Sequence, residues 1–146
     1  ASTTLTKNGW IFSTADSVRE KTINKQNIPL AFTLTIPDIP FLKRTAGELQ
    51  SAWLAIGARA TINAEPPELV RDTDIKNRDY EALLYGNLLD GNDDLFSFWH
   101  SSERFSPGLN LALYTNSKAD ALIESIRENG DQNARIAQFA SLEDMI

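Results

Sequence analysis

The chain has one histidine, His100, and no cysteine, and this composition limits the chemistry that it could perform. Metal sites built on two or three imidazoles are excluded, as are thiolate centres and disulfides. A serine nucleophile would need His100 as its base, but Ser101 and Ser102 adjoin it in the chain, where triad geometry is seldom reached. The sequence contains no P-loop, no dinucleotide-binding glycine pattern and no nucleophile elbow. We predict no catalytic residue, no metal site and no cofactor.

Three aspartates, Asp90, Asp93 and Asp94, form an acidic cluster in a loop rich in glycine and asparagine. Their spacing does not match an EF-hand calcium loop, and the closing glutamate of that loop is missing. We expect Asp93 or Asp94 to cap the helix that follows. Asp90 is a candidate anchor for a cationic group of a ligand or, with His100, one half of an acid/base site.

A dense aromatic group surrounds this acidic cluster. Aromatic side chains at a strand end and on a short helix can line an apolar ligand cleft. We expect at least one of Phe96 and Trp99 to belong to the core instead. The group comprises Tyr85, Phe96, Phe98, Trp99 and His100.

The elements that would position these residues are clearest in the first half of the chain. Residues 30–36 alternate apolar with small or polar side chains between two prolines, which predicts a half-buried strand. Apolar residues then recur at helical spacing over residues 41–56, and Gly57 follows where a helix end favours a positive φ. Residues 58–63 alternate again. A strand, a helix and a second strand in this order predict a right-handed crossover between parallel strands.

A chain of 146 residues is long enough to close a single core, and we predict one α/β domain with a mixed β-sheet flanked by helices. Residues 1–27 would form an N-terminal hairpin region and residues 28–146 the α/β core. The further predicted elements are short helices over residues 66–75 and 95–100, strands over residues 80–85 and 111–114, a helix opened by a capping box of Ser117 and Asp120, and a final helix from residue 131.

The net charge of −6 argues against nucleic acid or an anionic membrane as a partner. We interpret Arg59, Arg71 and Arg78 as surface charges. The first residue, Ala1, is not an initiator, and the last helix is interrupted in mid-course. We therefore expect the chain to be a piece of a longer protein.

Five segments share their order and residue types with the motifs of one known family. They are the Gly9-Trp10 pair, the strand and helix unit over residues 29–58 with Gln50 near the middle of its helix, the strand over residues 78–86, the aromatic run over residues 93–101, and the helix start over residues 110–123.

Together these segments resemble the C-terminal lobe of extracellular solute-binding protein family 5, the oligopeptide- and dipeptide-binding proteins of ABC importers. The resemblance covers the chain from Gly9 to about Phe139. It implies one lobe of a bilobal, periplasmic-binding-protein-like fold that closes on its ligand. The implied function is ligand capture without catalysis, with a peptide or a similar small solute as ligand. The implied partners are the N-terminal lobe of the same protein and an ABC transporter permease, with no nucleic acid. The implied location is periplasmic or extracellular, with the full-length protein anchored to the membrane.

The resemblance also implies where the ligand binds. In relatives, the loop after the tyrosine strand faces the cleft, and an aspartate in that loop pairs with the ammonium group of a peptide. In this sequence the position that matches this aspartate falls on Leu89 or Asp90. In some family members the ligand is nickel or a sugar instead of a peptide. The predicted ligand-binding residues are Tyr85, Gly86, Asn87, Leu89, Asp90, Trp99 and His100. Two alternatives remain, an enzyme lobe with an acid/base site near Asp90 and His100, and a structural interaction domain.

Overall fold

The computed structural model describes residues 1–86 and 94–146, which form two compact units. The first unit contains residues 1–74 and 79–86, and the second contains residues 75–78 and 94–146. None of the helices in these described ranges combines the length and apolarity that a membrane span requires.

The first unit begins with helix α1 (Ser2–Lys7) and an antiparallel sheet of β1 (Ile11–Ser13), β2 (Val18–Ile23) and β3 (Gln26–Pro29). Asn24 and Lys25 join β2 to β3 with φ values of 51° and 67°, as a tight hairpin turn requires. The predicted hairpin is present, with a third strand added.

A buried arginine, Arg19 in β2, connects the antiparallel sheet to α1 and to the residues around Trp10 and Ile56. Its side chain donates hydrogen bonds to the carbonyl oxygens of Trp10 and Ile56 and to the hydroxyl groups of Ser2 and Thr6. These acceptors satisfy a cation that would otherwise be costly to bury.

The predicted crossover is confirmed by β4 (Ala31–Pro37), α2 (Pro40–Ala55) and β5 (Arg59–Glu65). The two strands are parallel, with a register that runs from Ala31 opposite Arg59 to Pro37 opposite Glu65. Leu34, Ile36 and Ala46 form the buried centre, where Trp53 and Ile62 pack against them. Gly57 ends the helix at a φ of 83°, and a Cβ there would lie 2.9 Å from side-chain atoms of Arg19 and Phe12. Gln50 Nε2 donates a 2.8 Å hydrogen bond to Ala60 O and fastens α2 to β5.

A third parallel strand, β6 (Ala82–Leu83), pairs with β4 on the side opposite to β5. It is reached through α3 (Pro67–Leu69) and a π-helix (Val70–Ile75), which lie where a short helix was predicted. The Glu81 carboxylate accepts a 2.6 Å hydrogen bond from Thr33 N, beside the start of β6. The predicted α/β class is confirmed, with the antiparallel and parallel strand pairs in two separate small sheets.

The second unit is helical. It contains α4 (Phe96–Trp99), a 3₁₀ turn (Ser101–Glu103), α5 (Ser117–Glu128) and α6 (Gln132–Glu143). Its buried centre is formed by Ala119, Ile123, Ile126 and Leu142.

Two predictions about the second unit were wrong. Residues 111–114 form no strand, because Leu113 has a φ of 54° and the Asn110 side chain binds both backbone groups of Tyr114. Helix α5 is capped by Asn116, whose Oδ1 accepts from Lys118 N and Ala119 N, and not by Ser117.

Candidate ligand-binding site

The order of the parallel strands defines where this sheet could hold a ligand. The chain leaves β4 through α2 to reach β5 on one side, and later reaches β6 on the other side of β4. The strand order therefore reverses between β4 and β6. In open parallel sheets, ligands bind at the carboxyl ends of the strands at such a switch point.

Two predicted site residues, Tyr85 and Gly86, lie at this switch point, immediately after β6. Leu84 N donates a 3.0 Å hydrogen bond to Thr35 O, so pairing with β4 continues one residue beyond β6. Tyr85 is half-buried, and Gly86 is exposed, with no heavy atom of a described, non-adjacent residue within 4 Å of where its Cβ would be. The backbone at Gly86 is therefore open to close approach.

Three further predicted site residues, Asn87, Leu89 and Asp90, lie outside the described residues, as does Asp93. Their ligand-binding roles stay predictions. Asp94 is described, and its Oδ1 accepts a 3.1 Å hydrogen bond from Phe96 N at the start of α4. The predicted helix-capping role is thus confirmed for Asp94.

The carboxyl end of β5 is acidic. The pKa of Asp74 is raised by burial, and further by the nearby carboxylates of Glu65 and Asp79. Asn63 Nδ2 donates a 2.6 Å hydrogen bond to Glu65 Oε1. This end of the parallel sheet therefore brings several carboxyl groups close together.

Trp99, in the second unit, is mainly a packing residue. It is half-buried against the helical core, as is Phe96, and its ring meets that of Tyr114 edge-on at a centroid distance of 6.0 Å. The expectation that Phe96 or Trp99 belongs to the core is confirmed for both. A ligand-binding role for Trp99 stays a prediction.

His100 lies next in the chain, and its side chain is 12% exposed. The ring stacks on Phe96 with a centroid distance of 4.1 Å. Nδ1 accepts a 3.1 Å hydrogen bond from Ser102 N and lies 2.8 Å from Ser102 Oγ. Nε2 lies 3.4 Å from Glu124 Oε1. Serine, histidine and glutamate are therefore adjacent, but the Nδ1 lone pair is occupied by a backbone N–H. It is not free to activate the serine, as a triad would require.

Sequence reasoning missed the residue that organises this segment, Asn110, which is 0% exposed. Its Nδ2 donates to the carbonyl oxygens of His100 and Tyr114, at 3.1 Å and 3.0 Å, and more weakly to that of Trp99. Its Oδ1 accepts from Tyr114 N at 3.0 Å. The only signal in the sequence is that this residue is polar within an otherwise apolar run.

Arg78 was also misjudged, because it is half-buried and not simply a surface charge. Its Nε and Nη2 donate to the carbonyl oxygens of Arg104 and Gly108 at 2.8 Å and 2.6 Å, and Nη1 donates to Ile75 O. Arg78 itself has a φ of 58°. A loop arginine in an unfavourable conformation thus fastens residues 104–108. Arg59 and Arg71 are exposed, as expected.

Asp120 completes the polar framework of the second unit. It accepts hydrogen bonds from Ser101 N at 2.9 Å and from Ser101 Oγ at 2.7 Å. Burial alone would raise the pKa of Asp120, but these two hydrogen bonds and the nearby His100 and Arg104 lower it overall. The carboxylate predicted to cap α5 instead holds the start of the 3₁₀ turn.

Two further observations bear on the kind of site. A groove of about 420 Å³ lies along the antiparallel sheet of the first unit, and none of the predicted site residues that the structure describes lines it. Within the described residues, no group of three or more His, Cys, Asp or Glu side chains is arranged to hold a metal ion.

Solved structures of solute-binding proteins share this fold over part of their length. The oligopeptide-binding protein AppA from Bacillus subtilis, solved with a nonapeptide, matches with a TM-score of 0.82 and 21% identity over 97% of this chain. An oligopeptide-binding protein from Thermus thermophilus, solved with a pentapeptide, matches with a TM-score of 0.84 and 16% identity over 99% of this chain. NikZ from Campylobacter jejuni, solved with Ni(L-His), matches with a TM-score of 0.76 and 22% identity over 94% of this chain.

The chain spans 27% of the length of each of these three proteins. Neither a protein-family model nor a curated protein matches the sequence. The resemblance drawn from the sequence motifs is therefore confirmed at the level of the fold.

Proposed function

We propose that this chain is one lobe of an extracytoplasmic solute-binding protein of the oligopeptide-binding family and supplies part of its ligand-binding surface. One observation carries the proposal. The exposed backbone at Gly86 follows β6 at the switch point of the parallel sheet, in a fold shared over 97% of the chain with a protein solved with a nonapeptide.

The same geometry supports an extended peptide as the ligand. Strand β6 is an edge of its sheet, and an extended peptide binds to such an edge through backbone hydrogen bonds. The backbone of Tyr85 and Gly86 would provide these bonds, and Leu89 or Asp90 would meet the peptide's N-terminus. A nickel complex is the alternative ligand, since NikZ was solved with one.

The remaining parts of the proposal concern the whole protein. An N-terminal lobe would close the cleft, and a permease of an ABC importer would receive the ligand. The location would be periplasmic or extracellular, with a membrane anchor on the full-length protein. The likeness to AppA over only 27% of its length supports a second lobe.

An enzyme lobe is the weaker candidate. Its acid/base site would need His100 as a free base, but the Nδ1 lone pair already accepts from Ser102 N. A purely structural interaction domain would leave the open backbone at Gly86 without a role.

A matched pair of glycine substitutions tests the site. At either Gly86 or Gly130, an alanine methyl would meet no heavy atom of a described, non-adjacent residue within 4 Å, so both variants should fold normally. In the full-length protein, Gly86→Ala should weaken binding of a nonapeptide at least tenfold, about 1.4 kcal/mol, because the methyl group would obstruct the peptide backbone. Gly130→Ala should leave the affinity unchanged. Isothermal titration calorimetry measures the affinity of each variant for the nonapeptide and for Ni(II)–L-histidine. Unchanged peptide affinity in Gly86→Ala would refute the proposed backbone contact.

A further inference from the structure

The hydrogen-bonding role of His100 depends on where its ring carries a proton. The side chain caps the 3₁₀ turn Ser101–Glu103, because Nδ1 accepts a hydrogen bond from Ser102 N. A neutral imidazole has one donor and one acceptor nitrogen. Since Nδ1 is the acceptor, the neutral ring must carry its hydrogen on Nε2.

The surroundings of Nε2 favour a second state. Nε2 is buried and has no hydrogen-bond partner among the residues that the structure describes, although Glu124 Oε1 lies only 3.4 Å away. A buried donor without a partner is unfavourable, and an ion pair with Glu124 would satisfy it. A charged ring would therefore gain an interaction that the neutral ring makes poorly.

The other charged groups around the ring come from three elements. Asp120 and Glu124 face it from α5, and Arg127 of the same helix lies 4.5 Å from the centroid of Phe96, on which His100 stacks. Asp94 pairs with Arg127 at 3.4 Å. Glu103 ends the turn and Arg104 follows it, and Ser102 Oγ donates to Glu103 at 3.2 Å.

We propose that His100 is a proton-operated cap of the turn Ser101–Glu103. When a proton from solvent binds Nδ1, that nitrogen becomes a donor and can no longer accept from Ser102 N. The new N–H donates instead to Ser102 Oγ, 2.8 Å away, and the cationic ring pairs with Glu124 through Nε2. The Ser102 N–H is released to solvent, since Ser102 is exposed.

This exchange would change the segment next to Trp99 without involving any ligand. Ser101 stays bound to Asp120 through its N–H and its hydroxyl group, so the change is confined to the Ser102 amide and side chain. Histidine side chains in general change charge between about pH 5 and 8, so this is the pH range to measure.

Nuclear magnetic resonance of the 146-residue chain between pH 4.5 and 8.5 tests the proposal. The Ser102 amide nitrogen should shift with the same midpoint as the His100 ring carbons. His100→Asn is the matched control, because an asparagine side chain keeps a cap acceptor but does not titrate. In that variant the Ser102 amide should lose its pH dependence over this range. Ser102→Ala keeps the backbone N–H and removes Oγ. In this variant the chemical shift of the amide nitrogen at position 102 should still change with the same midpoint as the His100 ring carbons.

Two results would overturn the proposal. In the first, the chemical shift of the amide nitrogen at position 102 stays constant while the imidazole titrates. This result would count in the unsubstituted chain and equally in Ser102→Ala. The second is an amide titration that persists unchanged in His100→Asn, which would assign it to the neighbouring Glu103 carboxylate.

Discussion

The crossover formed by β4, α2 and β5 and the segment over residues 94–116 are held in place by different interactions. In the crossover, seven residues of β4 pair with seven of β5, and Leu34, Ile36 and Ala46 are almost completely buried. The segment over residues 94–116 contains only one helical turn and a 3₁₀ turn. Side chains of Arg78, Asn110 and Asp120 bind its backbone instead. Apolar packing builds the sheet at the switch point, and buried or half-buried polar side chains hold residues 94–116.

The difference matters because the two kinds of support fail differently. Removal of a buried methyl group leaves a cavity, and the loss of stability grows with the volume of that cavity. A buried polar side chain that is removed leaves its partners unsatisfied, and each unpaired group carries its own desolvation penalty. Substitutions in the two regions should therefore respond differently to conservative replacement.

The largest effect is expected at Ile36, which is 0% exposed in the parallel sheet. Ile36→Ala should lower the free energy of unfolding by about 2–5 kcal/mol, and Ile36→Val by about 0.5–1.5 kcal/mol. Urea denaturation of the two variants measures both losses. A graded response marks apolar packing, and equal losses for the two variants would contradict it.

Asn110 should come next. Asn110→Ala leaves the backbone groups of His100 and Tyr114 without partners, and should lower the free energy of unfolding by about 2–4 kcal/mol. Asn110→Asp has nearly the same shape but loses the donor amide, so its loss should be close to that of alanine. Denaturation of both variants checks this all-or-none response. A nearly neutral Asn110→Asp would mean that shape, and not hydrogen bonding, secures the segment.

Asp120 adds a pH dependence to the second region. Because its pKa is lowered in the folded chain, it stabilises the fold above the unfolded value of about 3.9, and that stabilisation is lost as the pH falls through the folded value. Asp120→Asn should cost about 1–2 kcal/mol at pH 7, since it removes a charged acceptor from Ser101. Stability measured from pH 7 down to pH 2 should show the two curves converging below about pH 4. Parallel curves would mean that the Asp120 carboxylate does not cause the pH dependence.

The smallest effect concerns the cap of α5. Asn116→Ala should lower stability by about 1 kcal/mol, because Oδ1 accepts from Lys118 N and Ala119 N. Ser117→Ala should change it by less than about 0.5 kcal/mol, since Ser117 is exposed. Thermal unfolding of the pair tests whether the cap lies one residue before the position that the sequence pattern favoured.

The comparison also explains what could be predicted from the sequence. Alternation over residues 30–36 and helical spacing over residues 41–56 are periodic signals, and the crossover formed where they indicated. No periodic sequence pattern indicates the roles of Arg78 and Asn110, because each depends on backbone carbonyls that only the folded chain brings together. The same reason explains why Ser117 and Asp120 looked like a capping box although Asp120 binds Ser101, 19 residues earlier. For the candidate site, a strand ending near Gly86 was predictable, while its short length, its parallel pairing with β4 and the hydrogen-bonding state of His100 were not.

The central claim is that this chain supplies one part of a ligand-binding cleft whose other part lies on a second lobe. A single lobe would offer only part of the contacts, while association still costs about 4–15 kcal/mol in lost translational and rotational freedom. Calorimetric titration of a nonapeptide and of Ni(II)–L-histidine into the 146-residue chain and into the full-length protein tests this directly. The account predicts that the chain unfolds cooperatively but binds either probe at least a hundredfold more weakly than the full-length protein, which binds one of them tightly. Equal affinity of the two proteins, or binding of neither probe by the full-length protein, would contradict it.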